Sequence, residues 1–159
     1  MANLDCPNGF YAIGSLEGKL PQEFEGLVQS SSGAIAIGDP LFQANGYIRV
    51  ATANDGQLIG VSNCEVPVST TEVQKVFFYG APDTMFEGQC SGTLTQAMIW
   101  ERCDIEGSTG IFEINENATT EDVVQILGLM PYDNNAVGAN AKVKFIIKRH
   151  QLGNLAEDK

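Results

Sequence analysis

VVQILGLMPYDNNAVGANAKVKFIIKRHQ, residues 123–151, decides the fold class. It holds two apolar runs, 123–130 and 142–148, on either side of a loop rich in Pro, Asp, Asn, Gly and Ala. In the second run Val143, Phe145 and Ile147 alternate with Lys142, Lys144 and Lys148. Successive strand residues face opposite sides, so this is a half-buried strand. Ile146 interrupts the alternation, which implies that part of the lysine face is covered as well. The first run is apolar except for Gln125 and Gly128, a pattern suited to a strand covered on both faces. Gly128 fits a bulge or a close backbone approach rather than a helix interior. The rest of the chain is expected to supply the sheet that these two strands join.

Working back from this stretch, residues 115–122 read as a polar, acidic loop, 111–114 as a short strand and 104–109 as a loop. Residues 93–103 are the best helix candidate, with Thr95 as cap and Leu94, Met98 and Ile99 as apolar face. Residues 85–90 and 73–79 read as strands separated by Gly80-Ala81-Pro82-Asp83, and 63–72 as loop. Asn45-Gly46 lies between the runs 41–44 and 47–51, and Asp55-Gly56 precedes 57–61. Both dipeptides tolerate positive φ, so a three-stranded meander is expected here. Residues 1–33 differ: glycines, Pro7, Pro21 and a serine run punctuate them without a period, leaving only the apolar patch 10–13. They read as an extended N-terminal arm with one short strand, lying either on its own barrel or on a neighbouring subunit. Residues 34–159 read as a single β domain. The expected fold is therefore mainly β, an antiparallel barrel or sandwich of jelly-roll-like kind, with one short helix and an extended arm.

A chain of 159 residues is long enough for one full core. Its 43% hydrophobic and 18% charged residues exclude a disordered polypeptide. Nine basic against 20 acidic residues give a net charge of −11, which disfavours nucleic acid and anionic membranes and favours solubility. No basic-then-apolar start reads as a signal peptide, and no apolar run nears the ~20 residues of a membrane span. The chain is expected to be soluble and to stay where it is made. Cys6, Cys64, Cys90 and Cys103 form no C-x-x-C pair and read as reduced thiols.

A search for chemistry returns little. His150, the single histidine, reads as an exposed strand-end residue, and no G-x-S-x-G elbow accompanies it. The spacing of Cys64, Cys90, Cys103 and His150 does not favour zinc. The stretch 14–20 has too short a gap between glycines for a phosphate loop, and Leu20 stands where Ser or Thr is needed. The loop 133–138 starts like a calcium loop, but Val137 and Lys144 stand where oxygen ligands belong. Glu113, Glu116, Glu121 and Asp122 admit a glycoside-hydrolase reading, yet a solvated acidic face explains them better. Asn117-Ala118-Thr119 matches a glycosylation acceptor, which has meaning only on secretion. No catalytic residue, cofactor or metal site is expected.

Four pieces of the sequence, taken in order, resemble the head-decoration, or cement, proteins of tailed bacteriophages. The opening Ala2-Asn3-Leu4-Asp5-Cys6-Pro7-Asn8-Gly9-Phe10 is similar to that family's start. Gly38-Asp39-Pro40-Leu41, Ala51 and Leu58-Ile59-Gly60-Val61 are similar to its G-D … A … I-x-G-V run. Residues 79–90, ending Met85-Phe86-Glu87-Gly88-Gln89-Cys90, resemble its middle strand pair. Ile126-Leu127-Gly128-Leu129, the loop 135–140 and residues 141–150 resemble its C-terminal strands. Cys6 and Cys90 stand where small or apolar residues are expected, and Trp100 is unusual. The resemblance implies a β-rich protein on the outer capsid surface of the virion, made in the bacterial host cytoplasm and often a homotrimer. It brings no catalytic residue and no transferable contact motif.

On that reading the chain is a structural, non-enzymatic protein that binds the phage major capsid protein and clamps neighbouring capsomers of an expanded shell. The arm is the natural clamp, so Leu4, Pro7, Phe10 and Tyr11 are the candidate contact residues. Trp100 joins them as either an interface anchor or a core residue of the short helix. The alternative is an adhesion or carbohydrate-binding module on the virion surface. A small hydrolase using residues 113–122 comes third.

Overall fold

The computed structural model describes residues 3–153. Its strands, in chain order, are β1 (Tyr11–Ser15), β2 (Glu23–Val28), β3 (Pro40–Ala44), β4 (Tyr47–Val50), β5 (Gly60–Ser62), β6 (Gln74–Tyr79), β7 (Thr84–Gln89), β8 (Thr93–Leu94), β9 (Arg102–Glu106), β10 (Glu113–Asn115), β11 (Val124–Leu129), β12 (Gly138–Ala139) and β13 (Lys142–Ile147). The mainly β, largely antiparallel class expected from the sequence is what the chain forms. The architecture is a closed five-stranded barrel, β2-β4-β3-β5-β6, beside a six-stranded sheet, β1-β7-β13-β11-β9-β10, with the small pair β12-β8 apart. A parallel bridge between Cys90 and Ile114 brings β10 back to the end of β7, so the larger sheet nearly closes.

The two runs of residues 123–151 pair antiparallel as β11 and β13, and β13 then pairs with β7. Val143, Phe145 and Ile147 enter the core, as the alternation requires. The register of β11 shifts between Ile126 and Gly128, so Gly128 does sit at a bulge. β11 is not covered on both faces, however: Val124 and Ile126 are buried while Gln125 and Leu127 stay half-exposed. One sheet face is packed and the other is only partly covered, with Ile146 at 6% exposure on it.

The hairpin at Asn45-Gly46 is formed, with φ of +52° and +85° at the two turn residues, joining β3 to β4. The third strand of the expected meander goes elsewhere: β5 pairs with β3, on the side away from β4. Asp55 explains the detour. Its carboxylate takes two bonds from the Arg49 guanidinium at 2.7 and 2.8 Å and one from the Thr52 N–H at 2.6 Å, folding residues 51–57 back on β4. Arg49 lies over the Phe42 ring at 4.5 Å, which holds the fork in place.

Residues 3–33 carry two strands, β1 and β2, rather than the single short strand expected of an arm. β1 pairs with β7, and β2 closes the barrel against β6 over six residue pairs. Glu23, Glu25 and Leu27 face outward while Phe24 and Val28 pack inward, an alternation that the glycines and prolines around it obscured. Phe10 is 1% exposed, with its ring edge-on to Phe145 at 5.0 Å. Gly88 makes room for it: a Cβ there would lie 2.7 Å from Phe10 Cδ1 and 3.0 Å from Phe145 Cε1.

The helix expected over 93–103 is reduced to β8 and a single 3-10 turn, Gln96–Met98. Residues 104–109, expected as loop, begin inside β9, whose Cys103 and Ile105 belong to the core. Neighbouring strands on both sides set this segment: β11 pairs at Arg102 and Cys103, and β10 pairs at Asp104 to Glu106. Tertiary pairing overrides the weak local helical pattern.

Two apolar clusters result, one under the larger sheet and one inside the barrel, and Val50 packs against both. Buried polar groups tie the lobes together. Asp39, fully buried, accepts N–H bonds from Ala36 at 2.8 Å and from Gly110 at 2.7 Å. Burial pushes its carboxyl above the usual range, and those two bonds oppose the push. His150, expected at the surface, is 2% exposed. Leu58 donates to the Arg149 carbonyl and accepts from Gln151 N–H, both across this seam, which carries His150 inward beside the barrel.

Candidate interaction surface

Trp100 stands where chain direction must change. Met98 and Ile99 pack partly buried against the core, and three residues after Ile99 Arg102 is already paired with Gln125 of β11. The chain makes the corner by placing Trp100 at φ +75°. That conformation costs a bulky residue on the order of 1 kcal/mol, and it persists because neighbours fix it. Trp100 N–H donates to the Ile126 carbonyl at 2.8 Å, and Gln125 Nε2 donates to the Trp100 carbonyl at 2.8 Å. Ile126 N–H donates to the Glu101 carbonyl at 3.1 Å. Trp100 is nevertheless 64% exposed. It is no core residue of a helix; it is an aromatic side chain held outward on a fixed backbone.

The other candidates separate. Leu4 is 78% exposed, Pro7 is half-buried, Tyr11 is 41% exposed, and Phe10 is core. Residues 3–10 therefore lie on their own sheet rather than reaching away. Asn3 Nδ2 donates to the carbonyls of Ala136 and Ala139 at 2.9 and 2.7 Å, and Asn3 Oδ1 accepts from Ala136 N–H at 3.2 Å. Cys6 N–H donates to Gln89 Oε1 at 2.9 Å. Gln89 Nε2 in turn donates to Asp5 and Glu113 at 3.0 and 2.9 Å. Leu4 and Tyr132 line a shallow depression of about 140 Å³ beside the 131–140 loop. Leu4, Tyr11 and Trp100 thus sit on three different elements, with Phe10 beneath the surface.

The acidic segment 113–122 is less solvated than its composition suggested. Glu116 is 5% exposed, accepting from Gly92 N–H at 3.2 Å and from Asn117 Nδ2 at 2.7 Å. Glu113 is held above the usual carboxylate range by burial and by the charges of Asp5, Glu106 and Glu116, against the bond from Gln89. Asp104 was missed by the sequence reading. Its carboxylate accepts N–H bonds from Thr120, Glu121 and Asp122 at 3.1, 2.9 and 2.8 Å, knotting the loop onto β9. An aspartate in a stretch read as loop gives no sign of that role.

All four cysteines are free thiols; Cys90 and Cys103 are buried, and burial pushes the Cys103 thiol up to about 12. Among the described residues, no three His, Cys, Asp or Glu side chains are placed to hold a metal ion. No protein-family model and no curated protein matches the chain.

Proposed function

We propose that the chain is a structural virion protein that binds the outer surface of a phage capsid and cements neighbouring capsomers of the expanded shell. One observation supports a binding role above the others. Trp100 is exposed on a backbone fixed by hydrogen bonds, so it meets a partner without a further cost for ordering the main chain. The identity of that partner, the major capsid protein, rests on the ordered sequence resemblance, as do the homotrimeric state and the jelly-roll-like kinship. An acidic, soluble protomer suits this work, since it stays apart from its copies until a shell presents sites. A trimer seated on three sites gains avidity, because its second and third contacts are intramolecular.

The test is co-sedimentation with expanded phage shells lacking decoration, with bound copies per shell counted. Saturation at a fixed copy number supports cementing, and Trp100→Ala should weaken it about tenfold or more. Absence of binding to any matching shell refutes it. The same indole also offers a stacking platform for a sugar ring, so the adhesion reading is the one that a glycan array then decides.

A further inference from the structure

A crevice of about 310 Å³ opens where one end of the larger sheet meets the barrel. Ser15, closing β1, and Thr84, opening β7, are partners in register and line it side by side. Two turns complete it. Gly18 N–H donates to the Ser15 carbonyl at 3.0 Å, and Thr84 N–H donates to the Ala81 carbonyl at 3.0 Å. Leu16 N–H joins the turns through the Asp83 carbonyl at 2.9 Å, and Gly80 N–H reaches the Gln22 carbonyl at 3.4 Å on the barrel side. Main-chain bonds therefore fix the walls, and the volume lies at the lower end of ligand pockets, about 300–1,000 Å³.

Three polar side chains of this crevice are not spent on the fold. Thr84 is 1% exposed, yet among the described residues its hydroxyl has no hydrogen-bond partner. Ser15 is 5% exposed; its Oγ accepts the Lys19 N–H at 3.0 Å, and its own proton has no acceptor among the described residues. The half-buried Asp83 carboxylate accepts no hydrogen bond from them either. Buried polar groups are nearly always satisfied, so two under-used hydroxyls side by side at a crevice point to a polar ligand. No bond holds the Thr84 hydroxyl, so rotation about χ1 turns it into the crevice at no loss of hydrogen bonding. Glu17 and Lys19 pair with each other at the exposed mouth, and Leu20 and Pro82 supply apolar surface.

We propose that this crevice binds a neutral sugar ring, either free or at the end of a glycan. The donor set selects among ligands. The carboxylates of Glu17 and Asp83 outnumber the Lys19 ammonium, so a phosphate or carboxylate is repelled. An amine is repelled by Lys19 and would leave the Ser15 and Thr84 protons without an acceptor. A sugar hydroxyl both donates and accepts, so one ring serves the Asp83 carboxylate and the two hydroxyls together. Its C–H face then rests on Leu20 and Pro82. The site goes beyond the cementing reading and does not rest on it. It is also separate from the exposed indole: β13 lies between β7 and β11, and β11 holds the Trp100 backbone.

The experiment is titration of the isotope-labelled full chain, followed by amide shifts, with the methyl glycosides of glucose, galactose, mannose and N-acetylglucosamine. At least one should saturate at about 1–10 mM, with shifts concentrated at residues 15–19 and 81–84. D83N and T84V should each weaken it about fivefold or more. Melting by circular dichroism checks that each variant is folded, and D83N serves if T84V is not. Neutral oligosaccharides ending in the sugar that binds separate the two sources: tighter binding than the methyl glycoside identifies a glycan end, and no gain identifies the free sugar. The proposal is overturned if none of the glycosides saturates, or if D83N and T84V leave the affinity unchanged. Shifts gathered around Trp100 instead, or an equal response to inorganic phosphate or methylammonium, overturn it as well. None of these outcomes bears on shell binding, so the cementing reading stands or falls separately.

Discussion

Acid should open the seam between barrel and sheet through one side chain. His150 is 2% exposed; its Nδ1 accepts the Leu152 N–H at 3.1 Å, and it also bonds the Gly80 backbone. Burial pulls its pKa from 6.5 down to about 4, the Gly80 bond opposing. Between those two values the unfolded chain carries the proton and the folded chain does not. Stability is therefore complete above pH 6.5 and falls as pH drops toward 4. At ~1.4 kcal/mol per pH unit, the loss by pH 4 is ~3 kcal/mol, a large fraction of a domain's 5–15 kcal/mol. Other groups titrate over the same range. Asp39 and Glu113 are held up, so acid relieves them, while Asp55 is held down by Arg49 despite its burial. A paired measurement removes these. His150→Gln keeps an acceptor for Leu152 N–H but does not titrate. Urea unfolding followed by circular dichroism at pH 7 and pH 4 gives the loss for each protein. Wild type should lose ~3 kcal/mol more than H150Q across that interval. Equal losses would show that His150 is charged or hydrated in the fold, and the seam would not be the acid-sensitive joint.

Phe10→Ala should destabilise by about 3–5 kcal/mol, as for a buried aromatic, whereas Leu4→Ala should stay within ~0.5 kcal/mol; denaturant midpoints separate the two. Removing residues 1–12 should for the same reason cripple folding, so a lost shell contact is better probed at Leu4 alone. Asp104→Ala leaves three N–H groups without their acceptor and should cost about 2–4 kcal/mol, with faster hydrogen exchange at residues 120–122. Trp100→Gly relieves a left-handed φ of +75° at an exposed site, so it should unfold within ~1 kcal/mol of wild type, on either side, while binding shells more weakly. A large loss of stability in W100G would mean that the indole packs against the fold. In native protein a disulfide reagent should modify Cys6 and leave Cys90 and Cys103 untouched until urea is added, because those thiols are buried and held protonated.

The parts legible in the sequence are those where a strand shows its own two faces. Val143, Phe145 and Ile147 alternate with lysines, and Asn45-Gly46 writes its turn in residue type; both are formed. What could not be read depends on partners distant in sequence. β2 is EFEGLV, whose alternation is sound but interrupted by Gly26, a position where a Cβ would meet Ile48 of β4. The glycine that reads as loop punctuation is there for a packing contact inside the barrel. β9 looks like the end of a helix until β11 and β10 pair with it on either side. β5 leaves the meander because the Arg49–Asp55 fork, six residues apart, folds the intervening loop.

The same division governs the surface. Alternation in β13 told which lysines share a face, but not that Glu87, Arg102 and Tyr11 would be set beside them, since those come from β7, β9 and β1. Trp100 was ambiguous for a sharper reason: whether it points in or out depends on one backbone angle, and φ is set by the bonds to Ile126 and Gln125 rather than by Trp100 itself. Phe10 and Leu4, six residues apart on what looked like one arm, part completely, one into the core and one out to solvent. The positions that hold the fold together and those free to meet a partner are therefore interleaved along the chain. Truncation confounds them, whereas single substitutions at exposed positions such as Leu4 and Trp100 read binding without also reading stability.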